Sequence, residues 1–327
     1  MGVPPYPEQA LYVSRVCAQL GLTFTDLNGG NGYLFSVSDG IHRFVSGAGA
    51  ICAYPLNSAS AYAISRDKAH TAAALRALGV PAIPGELYFV TDRFAALRAP
   101  GHEIGDSVAA FAAYGKPMFC KPNMGARGDF AEIVATADAF RAYLERVRGR
   151  YDAILLQPVI DGDEYRVFCI DGQPVFVTAK AGFTLTGDGV RPLHTLLHEQ
   201  NDILIAAGIS PFDTTILPDD PNRVPAAGES LVLPGRRNLS AGGGIAGFST
   251  DVPQRLANLA RQATDAIGLR VSGVDIFDVS PARDLSELTV VEVNGNPSIA
   301  SLSRIGRDDV IDRIWRTVIE TWFAECR

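Results

Sequence analysis

The segment Val290-Val291-Glu292-Val293-Asn294-Gly295-Asn296-Pro297, read with Gly273-Val274-Asp275-Ile276 before it, has the β-branched content and alternation of two paired strands. Side chains two apart share one face of a strand, so Glu292 and Asn294 point the same way while Val291 and Val293 point into the core. An antiparallel partner carrying Asp275 brings a second carboxylate beside Glu292. Three oxygen donors on one face suit a hard cation, Mg²⁺, held together with bound phosphates. For this strip alone, a solvated hairpin face is the alternative.

Basic groups lie upstream. Lys121 ends the apolar run Met118-Phe119-Cys120, and the following Gly125-Ala126-Arg127-Gly128 can bend over an anion with its backbone N–H groups turned inward. Lys68 stands early in a helix, in Ser65-Arg66-Asp67-Lys68. Either lysine alone reads more readily as a surface charge. Arg236-Arg237-Asn238 precedes Leu239-Ser240-Ala241-Gly242-Gly243-Gly244, setting two guanidinium forks and an amide beside glycines that admit a close ligand. No G-x-x-x-x-G-K-[ST] occurs, which excludes a P-loop nucleotide hydrolase.

The chain has 327 residues, enough for two or three domains with their own cores. Hydrophobic residues make up 47% and charged residues 20%, a globular rather than a disordered or fibrous composition. Its 29 basic against 36 acidic side chains leave −7, the wrong sign for binding nucleic acid by bulk charge. Five scattered cysteines without C-x-x-C spacing suggest neither disulfides nor a zinc site, and the five histidines lack metal spacing. With no signal-like start and no run of eighteen apolar residues, the expectation is a cytoplasmic protein without a membrane partner.

Along the chain the pattern predicts a helix over 8–20, a hairpin of 33–37 with 41–45, and one Ala-rich helix over 59–78 stopped by Gly79-Val80-Pro81. The loop Gly29 to Gly32 reads as a meander connection and not as a phosphate loop. Further strands are expected at 87–91, 117–121, 131–135, 154–159, 165–170 and 174–179, with helices over 108–114, 138–147 and 193–207. A helix opened by Asp251 over 252–267, the hairpin 274–279 with 289–294, and a last helix over 308–325 complete the reading. The class is α/β or α+β with several sub-domains.

Taken in order, Ser65-Arg66-Asp67-Lys68, Lys121-Pro122 with its glycine loop, Gln157-Pro158, Asp163-Glu164-Tyr165-Arg166, Arg236-x-Asn238 and Asp275…Glu292-x-Asn294 resemble the ATP-grasp superfamily. The chain is similar to its carboxylate–amine ligases, in particular the ATP-grasp part of cyanophycin synthetases and bifunctional glutathione synthetases and the ligases that modify a ribosomal protein. Gly187-Asp188-Gly189-Val190 and Pro225-Ala226-Ala227-Gly228-Glu229 carry that narrower likeness, which runs from about Asn57 to Ser303.

The resemblance implies a small N-terminal domain, 1–64, and two α+β subdomains, 65–158 and 159–327, clasping ATP. It implies that Lys68 and Lys121 hold the phosphates under a flap formed by Gly125 to Gly128. Gln157 and Val159 would meet adenine, Glu164 the ribose hydroxyls, and Arg236 and Asn238 the γ-phosphate. Asp275, Glu292 and Asn294 would ligate two Mg²⁺ ions, with Mn²⁺ as a substitute ion. D-alanine ligases carry an arginine two residues before the first metal aspartate, where this chain has Gly273, which passes the oxyanion role to Arg236 or Arg237.

The implied reaction joins a carboxylate to an amine through an acyl phosphate, releasing ADP and phosphate. The implied substrates are an amino acid or short peptide, with Arg166, Ser298, Ser301 and Arg304 as substrate contacts, and the implied assembly is a homodimer. An ATP-binding module without turnover and a small-molecule kinase on the same scaffold are the other readings.

Overall fold

The computed structural model describes residues 6–49, 54–206, 208–212, 214–218, 220–233 and 244–327. The chain opens with α1 (Glu8–Leu20) and an antiparallel meander β1 (Thr23–Asp26), β2 (Leu34–Ser38), β3 (Arg43–Gly47). The expected hairpin is there, but Ile41 lies in the turn, and β1 is an added strand. The glycine loop before β2 is closed by Asp26, whose carboxylate accepts the amides of Asn28 and Gly32, each at 2.8 Å.

The Ala-rich stretch is not one helix. It breaks into α2 (Ala59–Arg66) and α3 (Lys68–Ala77) at Asp67, whose extended backbone ends the first helix while its carboxylate accepts the His70 amide at 3.0 Å and caps the second. Lys68 is therefore the first residue of a helix, held at an angle that a continuous rod would not give it.

A four-stranded antiparallel sheet follows, in order β4 (Glu86–Phe89), β7 (Ala153–Pro158), β5 (Met118–Pro122), β6 (Glu132–Val134), carrying α4 (Ile104–Tyr114) and α5 (Ala137–Val147). Thr136 caps α5 by accepting the Ala139 amide at 3.2 Å. The core of this layer stacks Phe111 on Phe140, ring centroids 4.4 Å apart, beside Tyr143, Leu144 and Ile154.

The larger sheet is also antiparallel, in order β12 (Gly244–Ser249), β9 (Gln173–Ala181), β8 (Asp163–Ile170), β13 (Val271–Asp278), β14 (Leu288–Asn294). Inserted between β9 and β12 are the two-stranded β10 (Thr184–Thr186) and β11 (Ser230–Val232), with α6 (Leu193–Ala206) packed on them. Behind the sheet α7 (Gln254–Ile267) buries Leu256, Leu259, Ala260, Ala263 and Ile267, a helical stripe against Val167, Cys169, Val274 and Ile276. Pro253 and not Asp251 occupies the cap of α7, so the expected side-chain cap is absent and the helix starts two residues late.

After β14 come α8 (Ala300–Arg304) and α9 (Asp308–Glu325). The buried face of α9, Val310, Ile311, Ile314, Trp315, Val318 and Ile319, packs on Ala10, Val13, Val16 and Cys17 of α1. The same core includes Phe35 and Val37 of β2 and Phe168 and Phe176 of the large sheet, so the chain's two ends share one interior. Burying side chains of this size contributes roughly 1.5–3 kcal/mol each, which ties the meander to the large sheet.

Candidate functional site

One face of the large sheet is divided. At one end Phe168, Ile170, Phe176 and Val271 lie in the core shared with α1 and α9. At the other, by the two-residue repeat of the strands, the same face carries Glu164 and Arg166 of β8, Lys180 of β9, Asp275 of β13, and Glu292 and Asn294 of β14. In the β13–β14 register Asp275 stands opposite Glu292, and Gly273 opposite Asn294. The pairing expected from the sequence is thus present as geometry.

The alternation in β14 needs a correction. A bulge places Asp275 opposite Glu292 but Ile276 opposite Val290, leaving Val291 as the extra residue. Val290 and Val293 are the buried pair, while Val291 is only half-buried and outside that core. The bulge lets residues three apart share the core face and keeps Glu292 and Asn294 toward the polar strip. The linker ahead of β4 covers the outer edge of β14. There the Ile83 amide donates to the Val290 carbonyl at 3.0 Å, and the Val290 amide to that of Pro81 at 2.8 Å.

The strip is saturated with charge. Arg166 grips Asp275 with two bonds of 2.7 Å, from Nε to Oδ1 and from the terminal nitrogen to Oδ2. Lys180 Nζ lies 3.0 Å from Asp275 Oδ2 and also pairs with Glu164. Asp275 is 2% exposed, and burial alone would raise its carboxyl; the Arg166 and Lys180 charges outweigh burial and hold it well below the usual carboxylate range. Burial likewise works against ionised Glu292, and the Lys68 and Lys121 charges overcome it, leaving that carboxyl lowered too.

Lys68 joins the strip to the smaller sheet. Its Nζ is 3.3 Å from Glu292 Oε1 and donates to the Gly125 carbonyl at 2.5 Å. Asn123, buried, fixes this junction by accepting the Ala69 amide on its side-chain oxygen at 2.9 Å, while its own carbonyl accepts the Lys68 amide at 3.3 Å. Lys121 comes off β5 toward the same place and is 6% exposed. Its burial pushes the ammonium down to about 8.

Gln157 is buried on β7, and Gly85 makes room for it, since a Cβ there would stand 2.8 Å from Gln157 Cγ. Val159 is exposed just past the strand. Gly128 and Arg127 both have positive φ, 72° and 60°, which turns the loop sharply after Gly125. Ser298 and Arg304 are exposed and Ser301 half-buried. No side chain caps α8, so Ser298 does not serve as a helix cap. Arg236, Arg237 and Asn238 lie outside the described residues.

The donor set fits a magnesium ion of the phosphate-bridged kind. Among the described residues no three His, Cys, Asp or Glu side chains form a metal cluster, so a cation here would need two carboxylates, the Asn294 amide oxygen and oxygens from a ligand. Sequence reasoning missed Lys180 and Asn123. A lone lysine at a strand end has no local signature; its place between Glu164 and Asp275 exists only once three strands are in register.

Residues 234–318 match the family described as RimK-like ATP-grasp domain. The chain is 27% identical over 161 residues to a glutathione biosynthesis bifunctional protein of Desulfotalea psychrophila, covering 45% of this chain and 21% of that protein. It is 24% identical over 249 residues to a cyanophycin synthetase of Geminocystis herdmanii, covering 71% and 27%. The matched region is about a quarter of the length of these relatives. Among solved structures, a bifunctional glutathione synthetase from Pasteurella multocida superposes with TM-score 0.51 at 20% identity, over 97% of this chain and 44% of that one. D-alanine–D-alanine ligase from Bacillus anthracis gives 0.50 at 15%, over 82% and 72%. The chain thus has the fold of the ATP-grasp ligases.

Proposed function

We propose that the chain is an ATP-dependent carboxylate–amine ligase acting on an amino acid or short peptide. The observation that carries this is the meeting of Asp275, Glu292 and Asn294 on one sheet face with Lys68 at the start of α3 and Lys121 from β5 of the smaller sheet. In the proposed reaction a substrate carboxylate oxygen attacks the γ-phosphorus of ATP and ADP departs. An amine then attacks the acyl carbon, phosphate leaves and the amine loses a proton.

Phosphoryl transfer asks a protein mainly for positioning and for positive charge along the transferred group. Lys68 and Lys121 supply that charge to the phosphates, with the turn Gly125 to Gly128 closing over them and keeping water from the acyl phosphate. Gln157 and Val159 border the adenine, and Glu164 the ribose. Asp275, Glu292 and Asn294 would hold magnesium, which would supply positive charge against the phosphates. In this reading Arg236, Arg237 and Asn238 serve the transferred group, and Arg166, Ser298, Ser301 and Arg304 the substrate. A division at 64/65 and 158/159, a homodimer and a cytoplasmic setting belong to the same reading. Among the described residues no helix is long and apolar enough to cross a membrane.

The test is incubation with ATP, Mg²⁺ and pools of amino acids and small acids, following ADP, phosphate and product mass, beside Glu292→Ala. An amide formed with ADP and phosphate, and lost in the variant, supports the ligase. A stable phosphorylated product replaces it with a kinase, and tight ATP binding without turnover on any pool leaves a binding module.

A further inference from the structure

Both carboxylates proposed to hold metal are already occupied by this chain's own cations. Asp275 Oδ1 takes Arg166 Nε, its Oδ2 takes both the second Arg166 nitrogen and Lys180 Nζ, and Glu292 Oε1 faces Lys68 Nζ. The Arg166 and Lys180 contacts are buried, the Lys180 and Asp275 side chains being 5% and 4% exposed. Four cations, Lys68, Lys121, Arg166 and Lys180, stand against three carboxylates, Glu164, Asp275 and Glu292, a surplus of one positive charge among the described residues of the site.

We infer that Lys180, with Arg166 and Lys68, is an internal counter-ion that shuts the metal seats to a free divalent cation until nucleotide phosphates draw the lysines away. The inference rests on the ligase reading. A lone divalent ion entering the strip must displace charge-assisted bonds and would raise the surplus from one positive charge to three in a water-poor place. A triphosphate with about four negative charges entering beside two divalent ions leaves the surplus where it began. Nucleotide and metal are therefore taken up together, and the empty site does not load with metal. Lys180 is the positioning residue in this account, since among the described residues it alone is ion-paired to both Glu164 and Asp275.

The probe is Mn²⁺, followed by electron paramagnetic resonance of the free ion, with and without ADP. Wild type is expected to leave Mn²⁺ free at concentrations up to about 1 mM without ADP, and to bind it at least ~10-fold more tightly with ADP. Lys180→Met is expected to bind Mn²⁺ without nucleotide at least ~10-fold more tightly than wild type, while Lys180→Arg stays shut. Should Lys180→Met fail to fold, Lys68→Met opens the Glu292 seat and serves instead. Equal Mn²⁺ affinity with and without ADP, or a lysine-to-methionine variant no more open than wild type, overturns the inference. ADP binding is measured separately by equilibrium dialysis. Failure to bind ADP at all sinks the ligase reading, whereas ADP bound with metal uptake indifferent to it sinks only this inference.

Discussion

Raising the pH past 8 should weaken nucleotide binding through one side chain. Burial pushes the Lys121 ammonium from its ordinary 10.5 down to about 8, and the positive charge of Lys68 acts in the same direction. Phosphates placed against it favour the charged form, so above pH 8 each nucleotide bound must bring a proton with it. At pH 8.5 about three quarters of the empty protein has Lys121 neutral, so binding takes up ~0.7 proton; at pH 7 the uptake is about 0.1. Affinity then falls toward ~10-fold per pH unit above 8, about 1.4 kcal/mol each. Calorimetric titration with ADP in buffers of unlike ionisation heat reads the proton count directly, and Lys121→Met should abolish it. An uptake near zero at pH 8.5, or one that persists in Lys121→Met, would refute the argument. The same lysine has an opposite effect on stability. The unfolded chain keeps its proton to about pH 10.5 and the folded one loses it near 8, so between these the unfolded state binds more protons and stability rises with pH. Below pH 8 that relief is absent, and Lys121→Met should flatten the rise.

Two further outcomes follow from the bonds around the strip. Asn57 donates to the carbonyls of Val271 and Gly295 and accepts the amides of Arg270 and Val271, all at 2.8 Å, so Asn57→Ala should lower stability to urea by about 2–4 kcal/mol. A loss below about 0.5 kcal/mol would mean water replaces the clamp at no cost. Asp275→Asn takes the charged partner from Arg166 and leaves Lys180 with Glu164 alone in a buried place, and should cost about 3–5 kcal/mol. Adding Lys180→Met should return at least ~1 kcal/mol of that loss in a double-mutant cycle, and simple additivity would deny the coupling.

What the sequence made legible was whatever depends on near neighbours. The helices at Glu8–Leu20 and Asp308–Glu325 follow from apolar spacing alone, and the Asp275–Glu292 pairing from two alternating strands close in the chain. Where distant segments decide, local pattern fails. Nothing in Ala59 to Leu78 announces a break, because the junction at Asp67 is fixed partly by Asn123, more than fifty residues away. The bulge at Val291 defeats a strict two-residue repeat. β12 is glycine-rich and finds its partner across a long insert, so its own composition does not read as a strand. The resemblance implies Arg166 as a substrate contact, whereas in the folded chain its guanidinium holds Asp275, a partner two strands supply only in register.

These misses concentrate where the two sheets meet, and Lys68 shows why that matters for the proposed chemistry. Its ammonium holds the Gly125 carbonyl on the phosphate-side loop and the Glu292 carboxylate on the large sheet at once. A phosphate oxygen competing for that ammonium weakens both bonds together. Loosening the first frees the turn to rearrange over the nucleotide, and loosening the second leaves Glu292 to take a metal ion. A continuous helix through Asp67 would carry Lys68 in mid-rod, without the clamp from Asn123. In the proposed chemistry the helix break that the sequence hides would let one lysine couple loop closure to metal capture.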